Sequence, residues 1–146
     1  TLYEDVTLDP AVLDASRLAG SVALWIGPGG TVTPMHHDTA NILFGQVFGR
    51  QRFRLVAPWE TAMLPATRGV YNLIDPEAPD LARWPDYARV TVKDVTLDPG
   101  DMLFIPVGWW HHVRALSVSI NLAFTNFTRN NFFDWFRPGE AHRAHR

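Results

Sequence analysis

With 146 residues, of which 47% are apolar and 19% charged, the chain has the length and make-up of one globular domain with one substantial core. A net charge of −2 offers nothing to attract nucleic acid or an anionic membrane, and the lack of cysteine excludes disulfides, thiolate metal sites and cysteine nucleophiles. No apolar run approaches the ~20 residues of a membrane-spanning helix; the chain does not begin with Met, so a piece of a longer protein is an open reading, and the cysteine-free composition is compatible with a reducing cytoplasm.

In chain order, residues 1–20 read as irregular, with a helical turn after Pro10. Residues 21–26 form a β-prone apolar run that ends in the turn-rich Gly27-Pro28-Gly29-Gly30. Runs 41–48 and 50–56 flank Gly49 and predict a β-hairpin. In the second run Gln51, Phe53 and Leu55 share one face and Arg50, Arg52 and Arg54 the other. The apolar members turn Gln51 inward and the arginines toward solvent.

Residues 57–88 contain five prolines (Pro58, Pro65, Pro76, Pro79 and Pro85). They read as a long excursion with one short helix near 79–83, either a plain surface loop or a lid over a site. Strands are predicted again at 90–94, 102–106, 109–113 and 117–124. In the last of these Ser117, Ser119, Asn121 and Ala123 make a small polar face. Val118, Ile120, Leu122 and Phe124 make the packing face. Trp25, Phe44, Phe53 and Phe104 fit inward β positions. Residues 130–136 suggest a short aromatic helix that packs on the barrel or joins two copies in a homodimer. The tail, 140–146, reads as loose. Many short strands with Gly/Pro turns indicate an all-β sandwich or barrel, and a jelly roll suits the strand count.

Four of the six histidines come in two pairs, His36-His37 and His111-His112. Asp38 follows the first pair at once. In an extended strand residues 36 and 38 point to one side and 37 to the other. One segment thus offers an imidazole and a carboxylate together, and a second imidazole, from His111 or His112, completes two histidines and one carboxylate. That set leaves three coordination positions open and suits non-haem Fe(II).

Residues 31–56 (TVTPMHHDTANILFGQVFGRQRFRLV) and 97–113 (LDPGDMLFIPVGWWHHV) resemble the cupin-8 branch of the JmjC-domain oxygenases. The resemblance implies a double-stranded β-helix, an Fe(II) cofactor and 2-oxoglutarate as cosubstrate. It implies iron ligation by His36 and Asp38, in the family's T-P-x-H-x-D, and by His111, in its G-W-W-H. It further implies contacts to 2-oxoglutarate from Thr33, Asn41 and Asn121. The family's G-R-K-R lysine, which pairs with the far carboxylate of 2-oxoglutarate, is replaced here by Gln51. The implied activity is hydroxylation of a protein, peptide or small-molecule substrate; the net charge of −2, and not the resemblance, is what gives no reason to expect nucleic acid or a membrane as partner. A second reading keeps His36, Asp38 and His111 as ligands of Zn(II), Ni(II) or Fe(II) in a binding module without 2-oxoglutarate turnover.

Overall fold

The structure is a computed structural model, and it describes residues 6–65 and 67–138. Among those residues there are ten strands and three short 3₁₀ turns. The strands are β1 (Val22–Gly27), β2 (Val32–His36), β3 (Ile42–Phe48), β4 (Gln51–Val56), β5 (Thr67–Arg68), β6 (Tyr71–Asn72), β7 (Lys93–Leu97), β8 (Met102–Ile105), β9 (Trp110–Ala115) and β10 (Ser119–Phe124). They form a four-stranded sheet in the order β1-β10-β3-β8 and a six-stranded sheet in the order β5-β6-β2-β9-β4-β7. Every pairing is antiparallel. This is the all-β jelly roll expected from the strand pattern.

The two sheets bury alternate residues against each other, which is the physical content of the period-2 pattern. In β4 the inward members Gln51, Phe53 and Leu55 are 9%, 0% and 7% exposed, as their alternation predicts. Phe53 meets Phe44 of the opposite sheet edge-to-face, with ring centroids 4.9 Å apart. Phe104 departs from its expected inward place: it is half exposed on the outer face, against Phe127. Its β8 neighbours Leu103 and Ile105 take the inward positions instead.

The runs around Gly49 do not form a hairpin. β3 pairs with β10 and β8 in one sheet, and β4 pairs with β9 and β7 in the other. Gly49-Arg50 is therefore a corner at which the chain changes sheets. Gly49 has φ +69°, and a Cβ there would fall 1.9 Å from the Val118 carbonyl oxygen. Alternation within each run assigns faces correctly but carries no information about which strand lies alongside.

The excursion after β4 is anchored, not loose. Its Ile74 and Tyr87 pack with Met35, Val56 and Trp110 in a second core behind the six-stranded sheet. Trp110 is fully buried, and its indole N–H donates to Thr61 Oγ1 at 2.8 Å. The expected helix at 79–83 is a turn, followed by 3₁₀ geometry at Pro85–Arg89. The arginine face is also not simply solvated. Arg52 and Arg114 both bond the Glu77 carboxylate, and Arg54 holds Asp94 and the Pro76 carbonyl. Three strand-borne cations thus fasten the excursion to the back of the sheet.

Residues 130–136 form a turn and irregular chain, not a helix. The Asn130-Asn131 start and the crowding of Phe132, Phe133, Trp135 and Phe136 favour local turns over continuous helix. Phe136 sits over Gly108, whose φ is +76°. Residues 140–146 lie outside the described residues.

Candidate metal centre and its cavity

β2 and β9 are neighbours, and His36 stands opposite His111 in their register. Cross-strand partners on one face approach within side-chain contact, so two residues far apart in sequence meet. Their ring centroids are 4.0 Å apart. Asp38, two residues beyond His36, brings Oδ2 to 3.3 Å from His111 Nε2 and 4.0 Å from His36 Nε2. One donor atom from each of the three residues lies within 4.8 Å of the others.

Both imidazoles are oriented from behind. His36 Nδ1–H donates to the Pro34 carbonyl at 2.8 Å, and His111 Nδ1–H donates to the Trp109 carbonyl at 3.0 Å. A carbonyl only accepts, so each Nδ1 carries the proton and each Nε2 presents a lone pair toward Asp38. Burial, reinforced by the neighbouring His111, pushes His36 down to about 4, so it is neutral near pH 7. Burial pushes the Asp38 carboxyl up, but the imidazoles around it, His111 foremost, outweigh this and leave it below its ordinary value. Two neutral nitrogens and one carboxylate oxygen on one side of a metal fit Fe(II), with the opposite side open.

The second member of each pair is turned away. His37 packs edge-on against Trp110 at 4.7 Å. His112 faces the back of the sheet, where it approaches Asp75 and Glu77 in a second group of potential ligands. Both Glu77 oxygens there are engaged by arginines, which makes that group an ion-pair hub and leaves it little capacity for a cation.

The triad opens into a cavity of about 530 Å³ between the two sheets. Ile42, Phe44, Phe53, Ile105 and Val113 give it an apolar wall, and Thr33, Gln51, Ser119 and Asn121 place polar groups in it. Trp25 and Tyr71, about half exposed, line its outer part. Tyr71, from the excursion, pairs with His36 in register and sets its ring 5.7 Å from that imidazole. The excursion thus contributes one wall of the site through β5–β6 and otherwise packs behind it.

Gln51 Nε2 donates to Ser119 Oγ at 3.2 Å, while Gln51 Oε1 and both polar atoms of the Asn121 amide are buried without a partner. Unpaired buried amides are uncommon and costly. Their place in the cavity fits a bound polar ligand such as an oxo acid. Asn41 is not part of this lining. Its amide donates to Asn131 Oδ1 and accepts from the Val107 N–H. Ser119 and Tyr71 belong to the cavity although no motif marks them, and Asn131 supports it with no local signal at all.

The family described as cupin-like domain matches residues 2–134. Lysine-specific demethylase 8 of Danio rerio is 38% identical over 108 residues, covering 71% of this chain and 27% of that protein. Jumonji C domain-containing protein 5 of Drosophila melanogaster is 35% identical and covers 84% of this chain and 32% of its own length. HSPB1-associated protein 1 of Bos taurus is 42% identical over 109 residues, 67% of this chain and 22% of its own length. The chain thus spans between 22% and 32% of these relatives. A ribosomal oxygenase of Escherichia coli overlays with a TM-score of 0.49 and 22% identity, over 83% of this chain and 25% of that one.

Proposed function

Since the chain belongs to the cupin-like domain family, we propose that it is an Fe(II)- and 2-oxoglutarate-dependent oxygenase of the hydroxylase type. The observation that carries this reading is the triad itself: two Nε2 lone pairs and one carboxylate converge beside a cavity whose buried amides lack partners. Iron and 2-oxoglutarate, when bound, would supply the oxidising chemistry with dioxygen, one oxygen atom entering the substrate C–H bond as hydroxyl and the other entering the succinate that forms, with carbon dioxide, from 2-oxoglutarate.

His36, Asp38 and His111 hold the metal on one side. The carbonyls of Pro34 and Trp109 keep the two imidazoles in the ligating tautomer. Thr33, Gln51 and Asn121 supply hydrogen bonds to the oxo acid, joined by Ser119 through Gln51. The apolar wall of Phe44, Phe53, Ile105 and Val113 excludes water from the reacting centre. Trp25 and Tyr71 flank the side from which a substrate group enters. The relatives named as lysine-specific demethylases favour a protein side chain as substrate class.

The test is succinate release from 2-oxoglutarate under Fe(II) and oxygen. Succinate that depends on iron and vanishes in His111→Ala is the expected result. No succinate, with metal binding intact, replaces this reading with the metal-binding module. The specific feature that keeps that second reading in view is Gln51, a neutral group where a lysine belongs.

A further inference from the structure

We infer that the inner end of the oxo-acid site reads its ligand through neutral amides and not through charge, so that this chain accepts a 2-oxo acid with an uncharged carboxamide terminus about as well as the dicarboxylate. This rests on the oxygenase reading above.

The position that would hold a cation is occupied by Gln51, 9% exposed, in β4. Ser119 accepts its N–H from β10, and Asn121, 1% exposed, lies two residues further along the same inward face. Among the described residues no lysine or arginine lines the cavity.

No nearby arginine is free to swing in. Arg52 and Arg114 are committed to Glu77, and Arg54 to Asp94 and the Pro76 carbonyl. These three lie on the opposite side of their strands from Phe53 and Val113, which do line the cavity. Arg50 bonds Asp98 at 2.6 Å on the exposed corner. Lys93 stands opposite Leu55 at the outer strand of the sheet and does not reach the lining.

The unpaired atoms specify the complementary ligand. Gln51 Oε1 is an acceptor, and Asn121 leaves one donor and one acceptor unpaired. Rotating the Gln51 amide pairs its oxygen with the Ser119 O–H, whereas Asn121 keeps one donor and one acceptor unpaired in either orientation. A carboxylate only accepts, so it satisfies the donors and leaves the Asn121 acceptor bare. A carboxamide both donates and accepts, and it pairs with both kinds. The dicarboxylate also lacks the charge-assisted bond that a lysine gives, which is typically about twice as strong as a neutral one.

The test measures binding to the Fe(II)-loaded full chain under argon, by calorimetry and by the metal-to-ligand absorbance. The probes are 2-oxoglutarate and 2-oxoglutaramate, which differ only in the far carboxylate and carboxamide. In the unaltered protein the two affinities are expected within about tenfold. Gln51→Lys is expected to tighten 2-oxoglutarate by about tenfold, equivalent to ~1.4 kcal/mol, and to leave 2-oxoglutaramate unchanged or weaker. If that buried lysine prevents folding, Gln51→Leu decides: both ligands weaken together and their ratio stays within about tenfold.

A preference for 2-oxoglutarate of a hundredfold or more in the unaltered protein overturns the inference. So does a Gln51→Leu protein that binds 2-oxoglutarate undiminished, since another group would then be reading the terminus. Those results leave the oxygenase reading standing if succinate is released. Binding of metal but of neither oxo acid removes both.

Discussion

Asn41 and Asn131, 90 positions apart, hold each other through three hydrogen bonds: Asn131 Oδ1 accepts from the Asn41 backbone N–H at 2.9 Å and from its amide at 2.8 Å, and Asn131 Nδ2 donates to the Asn41 carbonyl at 2.8 Å. Asn131 donates again to the Thr125 carbonyl, and Asn41 Oδ1 accepts from Val107 N–H. This node joins the end of the metal loop, the strand-to-strand turn before His111 and the C-terminal segment.

Asn131→Ala leaves several of these groups unpaired in a buried place, at a cost of about 2–3 kcal/mol. The expected result is a melting temperature lower by roughly 5–10 °C and weaker metal binding, because Asp38 begins the loop that Asn131 clamps. An unchanged melting temperature would show that water replaces the clamp.

The triad separates cleanly from its histidine neighbours. His36→Ala, Asp38→Ala and His111→Ala are each expected to weaken Fe(II) or Co(II) binding by at least about 100-fold, a loss at or beyond the upper end of that seen on removing supporting groups around a metal. His112→Ala is expected to keep full metal content, and so is His37→Ala, which loses its contact with Trp110 and about 1 kcal/mol of stability. Equilibrium dialysis distinguishes the two classes. A His37→Ala protein that loses its metal would reassign the ligand set.

The parts legible in the sequence were those governed by local periodicity. The inward face of β4, the polar face of β10 and the pairing of His36 with Asp38 on one side all follow from side-chain alternation. The choice of His111 over His112 needed the G-W-W-H motif, and the register of β2 against β9 accords with it. What alternation lacks is partner identity. For that reason the Gly49 corner read as a hairpin, and the arginines of β4 read as solvated although Glu77, 25 residues beyond Arg52, folds back to meet them. The bonds between Asn41 and Asn131 were not legible because Asn131 lies in a segment that carries no motif.

Glu77 gives the fold an acid-sensitive fastening. The Arg114 hydrogen bond, then that of Arg52, hold its carboxyl down to about 2 against an ordinary 4.5. A carboxylate depressed on folding stabilises the native state above its unfolded value and loses that contribution as pH falls from about 4.5 toward 2. Glu77→Gln is expected to cost about 1.5–3 kcal/mol at pH 7, where it removes charge-assisted bonds. The gap between the two proteins in urea melts should narrow steadily below pH 4.5. A gap that stays constant down to pH 3 would mean that Glu77 contributes by packing and not by charge.

The Gly49 corner links backbone geometry to the cavity. Gly49 and Gly100 both have positive φ, +69° and +97°. A Cβ on Gly100 meets nothing within 4 Å, whereas one on Gly49 would strike the Val118 carbonyl at 1.9 Å and the Ser117 hydroxyl at 2.7 Å. Gly100→Ala therefore measures conformational strain alone, about 1–3 kcal/mol. Gly49→Ala adds displacement of the backbone at Ser117-Val118, and its cost is expected to exceed that of Gly100→Ala by at least about 2 kcal/mol. The displacement reaches the next residue, Ser119, whose hydroxyl holds Gln51 at 3.2 Å. The Gly49→Ala protein should thus bind oxo acids more weakly while retaining its metal, because β2 and β9 do not pass through the corner. Equal stabilities for the two alanine variants, in matched urea melts, would show that the β3–β4 corner yields without disturbing β10.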